Sequence, residues 1–251
     1  MSGAAIPPTN RLLQLPGAVI KIYREPWRAH TEKAALQRLA EARIPAPTVL
    51  GAGRIRGRRL LVLRRLHGSP AGVGEEAARH VITYLQTVHH LTGPGFGRLS
   101  EPSAASWGEY LRARLVSYQD ALARHGFYEA ADTAKALAHS PLPEPAVPRL
   151  LHNDPEPGNF LLSATGTAGL DWELAIYGDP GLDYARTAHA LGIRPARMVR
   201  VLADHGIPHS EANLAVYRSV HLLGRLMSAV TATPPDPTAA QRHARDLTAN
   251  T

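Results

Sequence analysis

The hydrophobic spacing of this chain changes period once, at His67-Gly68-Ser69-Pro70, and that change restricts the fold more than any other feature. Before it, apolar residues come in short runs broken by turn signals. RLLQL and AVIKIY are split by Pro16-Gly17, and TVLGAGRI and RLLVLRRL are joined across Gly57. Runs of this length and punctuation read as two β-hairpins. One helical pattern lies between them at residues 29–41, with Thr31 near its start, Ala34, Ala35, Leu36, Leu39 and Ala40 on one side, and IPAP as its stop.

Beyond residue 70 the spacing is helical, at about 75–91, 106–125 and 127–139. The segment 140–151, SPLPEPAVPRLL, holds four prolines and cannot be a helix interior, so it reads as a connector. Two short strands follow at 160–162 and 168–170, then helices near 182–191, 195–205 and 210–230, and the last twenty residues read as a loosely packed tail. The expected architecture is α+β in two lobes. Residues 1–68 form a small antiparallel sheet with one helix, and residues 69–251 form a mostly helical lobe.

Composition removes whole classes of function. With no cysteine among 251 residues there is no thiol nucleophile, disulfide, iron–sulfur cluster or Cys-ligated zinc. No apolar run approaches the roughly 20 residues of a membrane span, and MSGAAIPPTN lacks the basic and apolar segments of a secretory signal, so a cytoplasmic protein without a membrane partner is expected. The net charge of +7 rests almost wholly on arginine, since only Lys21, Lys33 and Lys135 are lysines. The one concentration, Arg54, Arg56, Arg58, Arg59, Arg64 and Arg65, brackets the Gly57 turn and reads as a solvated hairpin, so no nucleic-acid partner is expected. The paired histidines His89/His90 and His205/His209 lack a third ligand at metal-binding spacing. The glycine run GPGFG at 93–97 follows a helix and reads as its stop signal.

The chemistry concentrates in residues 150–186, LLHNDPEPGNFLLSATGTAGLDWELAIYGDPGLDYAR. His152, Asp154 and Asn159 fit HxDxxxxN, a loop that precedes a tight hairpin and delivers Asp171 after its second strand. Such a loop sets Asp154 against a substrate hydroxyl while the Asn159 amide oxygen and the Asp171 carboxylate converge on a hard cation. Oxygen ligands in this number suit Mg²⁺, which takes its remaining ligands from water and substrate phosphates. In the first lobe Lys21 shares a strand face with Val19 and Tyr23, and Glu32 follows eleven residues later as the carboxylate to orient it. An ammonium held this way neutralises the α- and β-phosphates of a nucleotide.

These residues, with IPAPTVLG at 44–51, LLVLRRLHG at 60–68, LHNDPEPGNFLL at 151–162 and LDWELAIYGDPGLDYAR at 170–186, resemble the aminoglycoside phosphotransferase family over roughly residues 9–230. That family is the small-molecule branch of the protein-kinase-like fold. The resemblance implies Asp154 as catalytic base or hydroxyl-orienting group, Asn159 and Asp171 as Mg²⁺ ligands, Lys21 with Glu32 as the phosphate anchor, and backbone groups around Arg65 and Leu66 as the adenine contact. It implies ATP as donor, with GTP as the alternative, and a small-molecule hydroxyl as acceptor, in a monomer or weak homodimer. Asp179 and Asp183 are placed to cap backbone N–H groups and stiffen the loop, and His152 to fix it from a buried position. Glu173 faces the site if the strand after Gly169 continues, and Glu156, Glu173 and Asp183 form a local acidic patch beside the loop.

The chain departs from the family in its first strand. Only MSGAAIPPTNRLLQL precedes the Lys21 strand, and Pro7 and Pro8 remove two phosphate-cradling donors beside Thr9 and Asn10. The glycine loop is therefore shortened, which keeps a pseudokinase-like nucleotide-binding regulatory module open beside an active kinase. Charge bears on the acceptor. Residues 101–139 and 184–251 together hold nine acids (Glu101, Glu109, Asp120, Glu129, Asp132, Asp204, Glu211, Asp236, Asp246) against twelve bases. A polycationic acceptor needs the reverse. The expected reaction is transfer of a γ-phosphate to an antibiotic or related natural product that is not polycationic, with a choline-, homoserine- or sugar-type metabolite kinase as the alternative.

Overall fold

The computed structural model describes residues 10–99, 102–232 and 234–248. Pro7, Pro8 and Thr9, on which the expectation of a shortened glycine loop rests, lie outside the described residues, as does Glu101. The first hairpin pairs β1 (Asn10–Leu15) with β2 (Ala18–Tyr23), Leu12 opposite Lys21. Its turn is Pro16-Gly17, with Gly17 at φ 75°, where a side chain would be strained. α1 (Pro26–Glu41) begins three residues before the apolar pattern does, because a proline lacks only an N–H that the first turn leaves unpaired anyway. β3 (Val49–Ile55) and β4 (Arg58–Arg64) turn at Arg56-Gly57, whose φ values of 49° and 78° suit a two-residue hairpin. The sheet runs β1-β2-β4-β3, and the arginines of its hairpin are largely solvated, as expected.

The helical part follows: β5 (Ser69–Pro70), α2 (Gly74–Val88), β6 (Phe96–Arg98), β7 (Pro102–Ala104), α3 (Trp107–Arg124), α4 (Tyr128–His139), β8 (Arg149–Leu151), β9 (Phe160–Ser163), β10 (Gly166–Gly169), β11 (Ile176–Gly178), α5 (Pro180–Ala190), α6 (Pro195–Asp204), α7 (Glu211–Thr231) and α8 (Pro237–Thr248). Two small sheets, β10-β9-β5 and β7-β6-β11-β8, stiffen the segments around the 150–186 stretch. Its core holds the fully buried Trp107, Trp172, Tyr184, Tyr217 and Phe160. The polar tips of two of these are joined, Trp107 Nε1 donating to Tyr217 at 3.0 Å and the Tyr217 hydroxyl donating to Asp179 at 2.6 Å. Among the described residues no helix is long and apolar enough to cross a membrane.

Three expectations are corrected. The C-terminal segment is not a loose tail: α8 packs on α7, capped by Asp236 Oδ1 on the Ala239 N–H at 2.9 Å, with Ala240, His243 and Leu247 buried. Its inward face is mostly alanine and histidine, which a hydrophobic pattern passes over. The second strand of the central hairpin is 166–169 instead of 168–170, because the turn falls at Ala164-Thr165. The proline-rich connector ends in β8, and β5, β6, β7 and β11 are equally short. Two or three residues are too few to display a period. In the GPGFG run, Gly93 has a packing reason, since a Cβ there would lie 2.4 Å from the Tyr177 ring.

Candidate active site

Lys21 reaches inward from β2 and is almost wholly buried. Its Nζ lies 2.7 Å from Glu32 Oε2 on α1, 2.5 Å from Asp171 Oδ1 and 2.8 Å from Glu173 Oε2. Burial alone would depress the ammonium, but the three carboxylates outweigh it and its pKa is raised, so the charge is fixed at any working pH. Glu32 also accepts the Tyr23 hydroxyl at 2.6 Å. Burial pushes the Glu32 carboxyl up against the pull of Lys21. Glu173 is tied to Arg28 Nη1 at 2.6 Å and to the Asn10 amide, so one carboxylate from the second lobe is gripped by three residues of the first.

Glu173 can do this because the expected strand does not continue. Asp171 takes a left-handed conformation, φ 60°, and Trp172–Leu174 wind into a single 3₁₀ turn that swings Glu173 under α1. Glu173, which would face the site had the strand continued and so would be a possible substrate contact, instead enters this ion-pair network, and no acidic patch of Glu156, Glu173 and Asp183 forms. Glu173 is bound to Lys21 and Arg28, Asp183 is fully buried, and Glu156 pairs with Arg225 at 3.1 Å.

The loop carrying Asp154 is fastened from behind by Asp183. One oxygen of that buried carboxylate accepts the His152 N–H at 2.8 Å, the other accepts the Asn153 N–H at 2.8 Å, and His89 Nε2 adds a third contact at 3.1 Å. Burial would raise Asp183, but these bonds and charges hold it below the usual carboxylate range. The His152 ring packs on Trp172, with its Nε2 2.7 Å from the Leu170 carbonyl oxygen, which fixes the loop against the residue before Asp171. Asn153, at φ 64°, donates its amide to Leu174. Asn159 donates to the Asp154 carbonyl at 2.9 Å. Asp179 accepts the Gly181 N–H at 2.7 Å and caps α5. Asp154 itself has a raised pKa, from burial and from the nearby Glu156 charge, opposed by His152, Arg186 and Arg225.

Two hollows meet at this loop. A cleft of about 420 Å³ lies between the two lobes, walled by Leu12, Val19, Lys21 and Leu63 above and by Asn159, Leu161, Leu170 and Asp171 below. Arg65, Leu66, His67 and Gly68 form its back edge. The Arg65 N–H is already given to the Gly17 carbonyl, so Leu66 and His67 are the next backbone groups along that edge. Gly68 is required there, because a Cβ would stand 2.6 Å from the Leu162 carbonyl oxygen. The second hollow, about 260 Å³, lies between Asp154–Pro157 and helices α5, α7 and α8. Magnesium fits the cleft wall: the Asn159 nitrogen is committed to Asp154, which leaves its oxygen as the ligating atom, and the Asp171 side chain is 42% exposed beside it.

The sequence reading missed Tyr23, Arg28, His89, Asn153 and Arg186. Arg28 meets Glu173 across 145 residues and carries no local signal. Asn153 and Arg186 do carry one. Asn153 sits between two motif residues, and Arg186 lies one helical turn beyond Asp183 and donates to the Asn153 carbonyl.

The phosphotransferase enzyme family (APH) matches residues 9–218. No curated protein resembles the chain closely enough to register as a relative. Among solved structures, a thermostable mutant of the aminoglycoside phosphotransferase APH(4)-Ia in ternary complex with AMP-PNP and hygromycin B superposes with a TM-score of 0.70 at 18% identity, over 96% of this chain and 93% of that one. A choline/ethanolamine kinase family protein from Mesorhizobium loti gives 0.70 at 19% identity, over 96% and 85%. Macrolide 2'-phosphotransferase type I gives 0.64 at 16%, over 92% and 83%. These likenesses fix a two-lobed protein-kinase-like fold. The family match runs through Lys21, Glu32, Asp154, Asn159 and Asp171, and the chain belongs to the phosphotransferase enzyme family.

Proposed function

We propose that the chain is an ATP-dependent O-phosphotransferase that moves the γ-phosphoryl group to a hydroxyl of a small molecule. The observation that carries this is the Lys21 cage. A buried ammonium bonded at once to Glu32 and Asp171 joins the nucleotide side of the first lobe to the metal-ligating side of the second. Asn159 and Asp171 would hold magnesium, which when bound neutralises charge on the β- and γ-phosphoryl oxygens. Lys21 would anchor the phosphates that are not transferred. The purine would lie against the back edge at Leu66 and His67. Asp154, held by the Asp183-fastened loop, orients the acceptor hydroxyl. The hydroxyl oxygen attacks the γ-phosphorus, the bond to the β–γ bridging oxygen breaks with its electron pair leaving on ADP, and the hydroxyl proton passes to the Asp154 carboxylate.

The acceptor on this reading is an antibiotic or related natural product that is not polycationic. A metabolite kinase is the second reading, and the size of the second hollow favours it, since about 260 Å³ is below the 300–1,000 Å³ of drug-sized ligand sites. A thermal-shift titration tests the donor side. Mg·ATP or Mg·GTP is expected to raise Tm well beyond the metal-free nucleotide. Equal shifts with and without magnesium would count against an assembled kinase site and for a regulatory module.

A further inference from the structure

The hollow behind Asp154 has a composition that phosphoryl transfer alone does not explain. Each of the three helices around it contributes one arginine and one histidine: Arg186 and His189 from α5, His221 and Arg225 from α7, and Arg242 and His243 from α8. Burial and the neighbouring arginines push all three imidazoles below their ordinary value, His243 to about 4, so they stand as neutral hydrogen-bonding groups between charged guanidiniums. The acids in the same wall are already committed. Asp154 serves the hydroxyl, Glu156 is bonded to Arg225, and Asp246 shares its field with Arg218, His189 and His243.

Two polar atoms of this wall are buried without a hydrogen-bond partner, Arg186 Nε and His243 Nδ1, and His243 is only 5% exposed. Arg186 donates only to a neutral carbonyl, that of Asn153, and forms no ion pair among the described residues. Buried polar atoms are rarely left unpaired unless a ligand or ordered water completes them. A planar guanidinium fork completes best with a carboxylate or a phosphate.

We infer that this hollow receives an acceptor bearing an anionic oxygen group, a carboxylate or a phosphate monoester, besides the hydroxyl it presents to Asp154. The inference rests on the phosphotransferase reading above and narrows its substrate class. A cationic acceptor would meet Arg186, the buried-side guanidinium of this wall without an ion pair among the described residues, and a neutral one could hydrogen-bond to the orphaned atoms but would bring that guanidinium no counter-charge. The size of the hollow confines the acceptor to a small molecule.

The test is a phosphorylation screen with the full chain and Mg·ATP. It uses equal numbers of anionic, neutral and cationic hydroxylated compounds and is built around one matched set: glucuronate, glucose 6-phosphate, glucose and glucosamine. The best acceptors are expected to be anionic, with kcat/KM at least about tenfold above their neutral counterparts. The glucuronate and glucose 6-phosphate arms distinguish carboxylate from phosphate. A best acceptor that is neutral or cationic overturns the inference alone. No product from any class, although Mg·ATP raises Tm, overturns the phosphotransferase reading and this inference with it. Arg242→Gln, at the exposed rim, is the variant least exposed to misfolding, and Arg186→Gln is its buried companion. Each is expected to raise KM for the best anionic acceptor about tenfold; an unchanged KM in both folded variants also overturns the inference.

Discussion

On the nucleotide side of the catalytic loop one ammonium, Lys21, lies among three carboxylates; on the acceptor side Asp154 shares its hollow with Glu156, Asp246 and the arginines Arg186, Arg225 and Arg242. The two arrangements differ in completeness. Around Lys21 every charged group has a protein partner at 2.5–2.8 Å, so the cage is assembled before any ligand arrives. In the hollow beside Asp154, Arg186 Nε and His243 Nδ1 are buried and have none, so that side is finished only by what binds there. A preassembled anchor suits a ligand held in one fixed way, and an unfinished wall suits a ligand that completes it.

The comparison breaks first at Asp154. Asp154→Ala is expected to lower kcat about 10²–10⁴-fold, while the magnesium-dependent thermal shift survives, since the residue lines the acceptor hollow and not the cleft. Turnover close to wild type would remove Asp154 from the reaction. Next comes Lys21→Met, which strands Glu32, Asp171 and Glu173 beside one another. Breaking a buried ion network from one side costs about 3–5 kcal/mol, or roughly 6–20 °C in Tm for a chain of this size. Glu32, already pushed up by burial, takes a proton when Lys21 is gone. A carboxyl whose folded pKa is raised stabilises below that pKa and loses the contribution as pH rises, so the variant is expected to be weaker at pH 8 than at pH 6. Lys21→Met/Glu32→Gln should recover part of the loss. A single variant as stable as wild type would show that the cage is not a coupled unit.

Much of this was legible in the sequence, and what was missed follows a physical pattern. The Lys21 and Asp154–Asn159 motifs could be read because their roles depend on spacing within one strand or one loop. Asp179 and Asp183 could be read because caps and loop fasteners obey local rules. Glu173 could not, since its place depends on Asp171 turning left-handed, and an aspartate accepts that conformation without announcing it. The α8 helix was hidden because its buried face is Ala240, His243 and Leu247, and the arginine- and histidine-lined hollow because its six such groups come from three helices, with Arg186 and His243 57 residues apart. Counting charge over helices gave a net sign but could not locate a hollow whose groups come from three separate helices.

The smallest effect sharpens the acceptor side without dismantling it. Glu156 is about half exposed, opposes ionisation of Asp154 by like charge, and occupies Arg225 at 3.1 Å. Glu156→Gln removes the like charge and frees the guanidinium, and both changes favour the Asp154 carboxylate. The acid limb of kcat/KM reports the proton on the free enzyme's base, and activity is lost as pH falls through it. In wild type that limb is expected above the ordinary aspartate value of 3.8, because burial and Glu156 raise it. In Glu156→Gln it should move to lower pH, so that activity at mildly acidic pH, relative to pH 8, increases. Added salt should shrink the difference, since the exposed part of the interaction is screened over a Debye length of about 8–10 Å. A limb that stays in place or moves upward in the variant would mean that Glu156 and Asp154 do not share a field, and that the acceptor side is held by the arginines alone.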